Sequence, residues 1–135
     1  MGLTEIDRKE IIKYRLERAN DTLLDVELAI QNRRWNIAAN RLYYACYYAA
    51  IALLLNAGYS DARTHNGVKT LLGLHYAKDG LINAKLMKAY RQMFSLRQTG
   101  DYDDMVILTA DDILELFEPA RQFIETIEKL ISDNN

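Results

Sequence analysis

Proline occurs once and glycine six times in 135 residues, too little punctuation for a fold of many β-turns. Cysteine also occurs once, so no intrachain disulfide can form. Cys46 lies in the most apolar run of the chain, where a free thiol behaves as a small buried hydrophobe, and this usage fits a reducing, cytoplasmic setting. Excess positive charge is absent as well: seventeen Lys+Arg against nineteen Asp+Glu give a net charge of -2. That balance excludes a broad cationic surface for DNA, whose non-specific affinity needs many phosphate contacts. The longest apolar run, 43–55, is too short to span a bilayer, and extending it backwards meets Arg41 and Asn40. The first ten residues, MGLTEIDRKE, hold no apolar signal core, and Ile6 stands where a myristoylation motif wants Ser or Thr. Neither export nor membrane attachment is expected.

What is present is an ordinary globular composition, 50% hydrophobic and 27% charged, with a length that suits one domain over residues 1–135. Tyrosine stands out, with nine residues against three Phe and one Trp, four of them at Tyr43, Tyr44, Tyr47 and Tyr48.

Hydrophobic periodicity predicts helices throughout. Thr4 is a candidate cap for a long first helix whose Ile12, Leu16, Ala19, Leu23, Val26 and Ile30 keep one face. A second helix is expected over about 34–57, ending at Gly58. Its tyrosines cover one arc, Ala38, Ala45, Ala49 and Ala52 form a small-residue seam on another, and so it should be covered on more than one side. Thr64 caps a shorter helix carrying Val68, Leu71, Leu72 and His75, broken near Asp79-Gly80. A fourth helix is expected over about 83–97, followed by a polar loop over 98–108. The last begins at Thr109, with Asp112 completing a capping box, and carries Ile113, Leu116, Ala120, Phe123, Ile127 and Leu130 inward. Pro119 should kink it near Glu115. The expected architecture is all-α, an up-and-down four-helix bundle with a short additional helix.

Two arginines interrupt apolar stripes. The stripe Leu86, Tyr90, Met93 leads to Arg97, and Ile37, Tyr44 and Tyr48 align with Arg41, which places both guanidinium groups at inward positions. A charge there must be paired or reach a solvated cleft. Asp101, Asp103 and Asp104 are candidate partners, and on residue pattern alone a salt bridge is the stronger reading of Arg97. His65 and His75 stand ten residues apart without metal-ligand spacing, and Val106 occupies the glycine position of a calcium loop, so no metal site is expected. Nor does any motif call for a cofactor. The tyrosines of the second helix read as core packing, with one or two hydroxyls reaching polar partners.

The ordered set Asn40-Arg41-Leu42-Tyr43-Tyr44-Ala45, Thr64-His65-Asn66-Gly67-Val68 and Arg97-Gln98-Thr99-Gly100-Asp101-Tyr102 resembles the HEPN superfamily (higher eukaryotes and prokaryotes nucleotide-binding), in its small stand-alone prokaryotic branch. The resemblance covers nearly the whole chain. It implies a HEPN-like bundle, also described as nucleotidyltransferase substrate-binding-domain-like. It implies further a homodimer, and a minimal nucleotidyltransferase as partner in a toxin-antitoxin pair. In active members an arginine followed after four to six residues by histidine forms a metal-independent ribonuclease site at the dimer cleft. The arginine maps to Arg97, while Tyr102, Asp103 and Asp104 stand where the histidine would be. An unperturbed tyrosine titrates near 10 and an aspartate near 3.9, so neither readily replaces a group that titrates near neutrality.

The preferred reading is therefore a dimeric module that binds a nucleotide or RNA phosphate through Arg97, Gln98, Asp101, Tyr102 and Arg41. Tyr102 would stack on a base or bond to its edge, and it also stands near a tyrosine that some family toxins have modified with AMP. Two alternatives stay open. One is a ribonuclease toxin with Arg97 and Tyr102 as catalytic candidates, or with His65 replacing the missing histidine. The other is a non-catalytic structural or interaction dimer.

Overall fold

The hydroxyl of Thr4 accepts the Asp7 backbone N–H at 3.0 Å, satisfying one of the donors that a helix start leaves orphaned. In the computed structural model, which describes residues 4–59, 64–102 and 107–134, helix α1 then runs over Glu5–Gln31. Ile12, Ala19, Leu23 and Val26 are buried as the periodicity predicts, with Leu16 and Ile30 half-buried. A tight turn with Arg33 at φ 56° reverses the chain. Helix α2, Trp35–Asn56, runs back along α1 and ends before Gly58, whose φ of 91° is the left-handed conformation expected just past a helix end.

Helix α2 is the centre of the molecule, packed against α1, α4 and α5. Its seam of Ala38, Ala45, Ala49 and Ala52 is fully buried, because small side chains let a neighbouring helix approach closely. Cys46 lies among them, its Sγ 3.7 Å from Met93 Sδ. Burial pushes its thiol far up, which keeps it protonated.

Helix α3, His65–Leu72, starts where the Thr64 hydroxyl accepts the Gly67 N–H at 2.9 Å. It passes into a π-helical turn, Gly73–Ala77, closed by a 3.1 Å bond from Lys78 N–H to Gly73 O. The wider π turn buries Tyr76 and leaves His75 exposed, stacked on Tyr59 at 4.7 Å between ring centroids. Gly80, at φ 75°, ends the segment.

Helix α4 extends over Ala84–Tyr102, so the loop expected from residue 98 begins later. Gly100 inside a helix costs up to about 1 kcal/mol relative to alanine, and a packing reason for it is visible. A Cβ there would stand 3.2 Å from Leu108 Cδ1. Leu108 is itself tied to the start of α2 by a 3.1 Å bond from its N–H to Asn36 Oδ1. Helix α5, Ala110–Asp133, opens on the expected capping interaction, the Asp112 carboxylate accepting the Thr109 N–H at 2.8 Å. It continues through Pro119 and buries Ile113, Leu116, Ala120, Phe123 and Ile127. Tyr90 of α4 stacks on Phe123 of α5 at 5.1 Å. No strand occurs among the described residues, and the fold is all-α. No helix among them is long and apolar enough to cross a membrane.

Candidate functional site

The spacing 43, 44, 47, 48 places two adjacent pairs of tyrosines one turn apart on α2, so their rings meet along the helix. Tyr43 is fully buried, and Tyr44, Tyr47 and Tyr48 are half-buried. Tyr44 lies 6.0 Å from both Tyr47 and Tyr48, and Tyr43 stacks on Tyr47 at 5.8 Å. The four are scaffold at Tyr43 and partly open platform at the others.

Both arginines singled out by the stripes converge on this platform. Arg97 Nη2 donates to Tyr44 Oη at 3.1 Å, and its guanidinium carbon lies 5.4 Å from the Tyr44 centroid and 5.7 Å from that of Tyr43. Arg41 lies 5.2 Å from the same Tyr44 ring. Its Nε and Nη2 both donate to Asn40 Oδ1, at 2.9 and 2.8 Å. One aromatic ring thus carries two cations. The stripe of Arg41 is not inward as expected, since Ile37 is 56% exposed and Arg41, Tyr44 and Tyr48 are half-buried. An α2 face that neighbouring helices leave uncovered accounts for the difference. The Leu86, Tyr90, Met93 stripe is buried as expected, and Arg97 at its end is half-buried.

His65 completes the group from the first turn of α3. Its Nδ1 lies 2.6 Å from Tyr43 Oη, and its ring centroid 4.4 Å from that of Tyr47 and 5.8 Å from that of Tyr44. Burial pushes the Tyr43 phenol up to about 12, so it stays neutral at physiological pH. Burial, and then the positive charge of Arg97, lower His65 below its ordinary value, which favours the neutral imidazole. If Tyr43 donates to Nδ1, Nε2 carries the proton; if Nδ1–H donates to Tyr43, Nε2 is a free base. Among the described residues Nε2 has no hydrogen-bond partner.

Of the other candidates, Gln98 is exposed and makes no hydrogen bond among the described residues. The backbone of α4 passes through Asp101 and Tyr102, but their side chains, together with Asp103 and Asp104, lie outside the described residues. Two residues that the sequence reading passed over join the platform from α1. Arg18 Nη2 donates to Tyr48 Oη at 3.0 Å with its guanidinium 4.9 Å from that ring, and the charge of Arg15 acts on Tyr47. Their signal was available, since Arg8, Ile11, Arg15 and Arg18 step by three and four beside the core stripe of α1. No group of three His, Cys, Asp or Glu that could hold a metal ion occurs among the described residues.

Comparison with known proteins agrees with this architecture. Residues 12–130 match the model of the HEPN domain. A "UPF0332 protein" of Thermotoga maritima is 38% identical over 94% of this chain and 96% of its own length. Two proteins of Methanocaldococcus jannaschii, named "Putative toxin MJ0605" and "Putative toxin MJ0142", are 26% and 23% identical. The alignments cover 98% and 100% of this chain and 97% and 91% of theirs. The match extends over nearly all of the bundle that positions Arg41, His65 and Arg97: the chain belongs to the HEPN family.

Proposed function

We propose that this HEPN-domain protein is a toxin-like module of a two-component system that binds a nucleotide or RNA phosphate at Arg97 and Arg41, as a homodimer working with a minimal nucleotidyltransferase. The observation that carries this reading is the pair of guanidinium groups over the single Tyr44 ring. A bound phosphate would accept N–H donors from both groups at once. Among the described residues, Arg41 is held only by neutral partners, the Asn40 amide oxygen and the Tyr44 ring. The two relatives named as toxins support the biological setting. Controlled expression of wild type and Arg97→Ala tests it, with growth, total RNA and binding of ATP and short RNAs by the purified proteins as readouts. Charge-assisted bonds contribute roughly 1.5–3 kcal/mol each, so Arg97→Ala should weaken binding by about tenfold or more. Absence of binding by the wild type, or binding unchanged in the variant, overturns the reading.

A second reading, ribonuclease activity, draws on the position of His65. With Nδ1–H donating to Tyr43, Nε2 is able to accept the proton of an RNA 2′-hydroxyl. The 2′-oxygen then attacks the neighbouring phosphorus, Arg97 stabilises the charge on the phosphate oxygens, and the departing 5′-oxygen takes a proton from water. His65→Ala should then abolish RNA loss and growth arrest while leaving RNA binding largely intact. Full toxicity in that variant eliminates His65 as the base.

A further inference from the structure

Tyr43 is the one phenol of the α2 cluster with no exposure at all. The hydrogen on its oxygen has no bulk water to meet and needs an acceptor inside the protein. Among the described residues the Tyr43 hydroxyl makes a single hydrogen bond, the 2.6 Å contact with His65 Nδ1. Tyr44, Tyr47 and Phe94 meet it through their rings. The Arg97 guanidinium, 5.7 Å from its ring, carries donors only. Tyr90 of α4 lies 5.7 Å away between ring centroids and is as fully buried. Its hydroxyl has no hydrogen-bond partner among the described residues, and of the polar groups around it the Tyr43 phenol acts on it most strongly, ahead of Cys46.

Hydrogens can be placed on this cluster in two ways. If Tyr43 donates to Nδ1, its lone pairs stay open to the Tyr90 hydroxyl, and each buried donor has an acceptor to turn to. If Nδ1 carries a hydrogen and donates to Tyr43, as in the other neutral tautomer or in the imidazolium, the Tyr43 hydrogen is stranded. Turning it to Tyr90 only strands the Tyr90 hydrogen instead. One unsatisfied buried donor shifts a population by about tenfold or more. We infer that Tyr43 is a positioning residue that fixes His65 as the Nε2–H tautomer, the hydrogens running in one direction from Tyr90 through Tyr43 to His65 and ending on the unpartnered Nε2–H. His65 thereby offers a neutral donor to an acceptor oxygen on the α2 face and refuses a ligand N–H at the same point. This goes beyond both readings above. Phosphate binding does not depend on it, whereas the ribonuclease reading requires the opposite tautomer, with a lone pair on Nε2.

Nuclear magnetic resonance of the imidazole nitrogens tests the assignment. Histidine occurs twice, and His75 is exposed on the π turn, so His75→Gln carrying ¹⁵N-labelled histidine reports on His65 alone. At about pH 8 an imidazole is neutral and a phenol protonated. Nε2 should then resonate as an N–H nitrogen and Nδ1 as a lone-pair nitrogen, with that tautomer favoured by about tenfold or more. The downfield proton of the short Tyr43–His65 bond should show no one-bond coupling to ¹⁵N, because it sits on oxygen. Adding Tyr43→Phe should lower the tautomer ratio severalfold. Adding Tyr90→Phe removes a donor and strands none, so the tautomer should stay as it was. Thermal melting establishes that each variant is folded, and the position of the downfield proton decides the matter even if Tyr43→Phe does not fold. An Nδ1–H signal, or a downfield proton coupled to Nδ1, overturns the assignment and leaves the ribonuclease reading standing. A ratio unchanged in folded Tyr43→Phe overturns Tyr43 as the positioning residue. Neither result touches phosphate binding, which Arg97→Ala tests separately.

Discussion

Arg121 on α5 and Arg41 on α2 carry the same guanidinium, and their surroundings treat it in opposite ways. Arg121 lies between Glu118 and Glu125, one turn to either side, and contacts both carboxylates. Its hydrogen bonding holds the Glu118 carboxyl below the ordinary range. The field of that arginine is cancelled where it arises. Arg41 is positioned as firmly, by two bonds to one amide oxygen and by a ring face, yet these neutral partners leave its charge intact. Arg18, bonded to a phenol, is treated like Arg41. A net charge of -2 therefore does not preclude single guanidinium groups, those of Arg18 and Arg41, with neutral partners among the described residues, because an anion is attracted by uncompensated charge and not by the number of basic residues.

Removing both platform cations should break this contrast most severely. Arg41→Ala combined with Arg97→Ala is expected to abolish measurable RNA binding, while the helical circular dichroism signal persists because both side chains stand at the edge of the core. A smaller effect, and a sharper test, comes from Asn40→Asp. This change preserves the shape of the acceptor for Arg41 but makes it a carboxylate, giving Arg41 the surroundings of Arg121. RNA affinity should fall severalfold. Wild-type affinity in Asn40→Asp would mean that uncompensated charge is not what the face supplies.

His65 gives a smaller effect, read as stability against pH. Its folded pKa lies below the ordinary histidine value of 6.5, so the unfolded chain binds the proton more readily. The contribution of His65 is fully present above pH 6.5 and is lost as pH falls through the folded pKa. Tyr43 acts in the opposite direction at high pH. With a folded value of about 12 against an ordinary 10, its contribution is present below pH 10 and is lost as pH rises towards 12. Denaturant melts across pH should show both losses, the acid one flattened in His65→Gln and the alkaline one in Tyr43→Phe.

How much of this was legible in the sequence depended on how local the cause was. Thr4, Thr64 and Asp112 act on backbone within three residues, and Gly58 and Gly80 on their own φ, so helix ends were readable. The core stripes of α1 and α5 were readable for the same reason, since periodicity is a local signal. The end of α4 was not, because Gly100 is explained by Leu108 and Asn36 arriving from elsewhere in the chain. The π turn after α3 was not readable either, because residue spacing does not encode a change of helical pitch. In the candidate site, Arg97 and Arg41 were visible as charges interrupting apolar stripes. The convergence of His65, Arg18 and Arg15 on the tyrosines was not visible, because it depends on which neighbouring helices the α2 face meets.

The smallest expected effect belongs to Arg121→Ala, and its smallness is informative. An exposed ion pair gains little from Coulomb attraction in water and spends side-chain entropy to hold its geometry. The melting temperature should therefore move little, and less still in high salt. RNA affinity should not fall, although the variant loses one positive charge just as Arg18→Ala and Arg41→Ala do. If binding responded only to overall charge, the three single variants would weaken it alike. Divergence between them, with Arg121→Ala at the wild-type value, separates a positive charge already compensated by carboxylates from one left available to a phosphate.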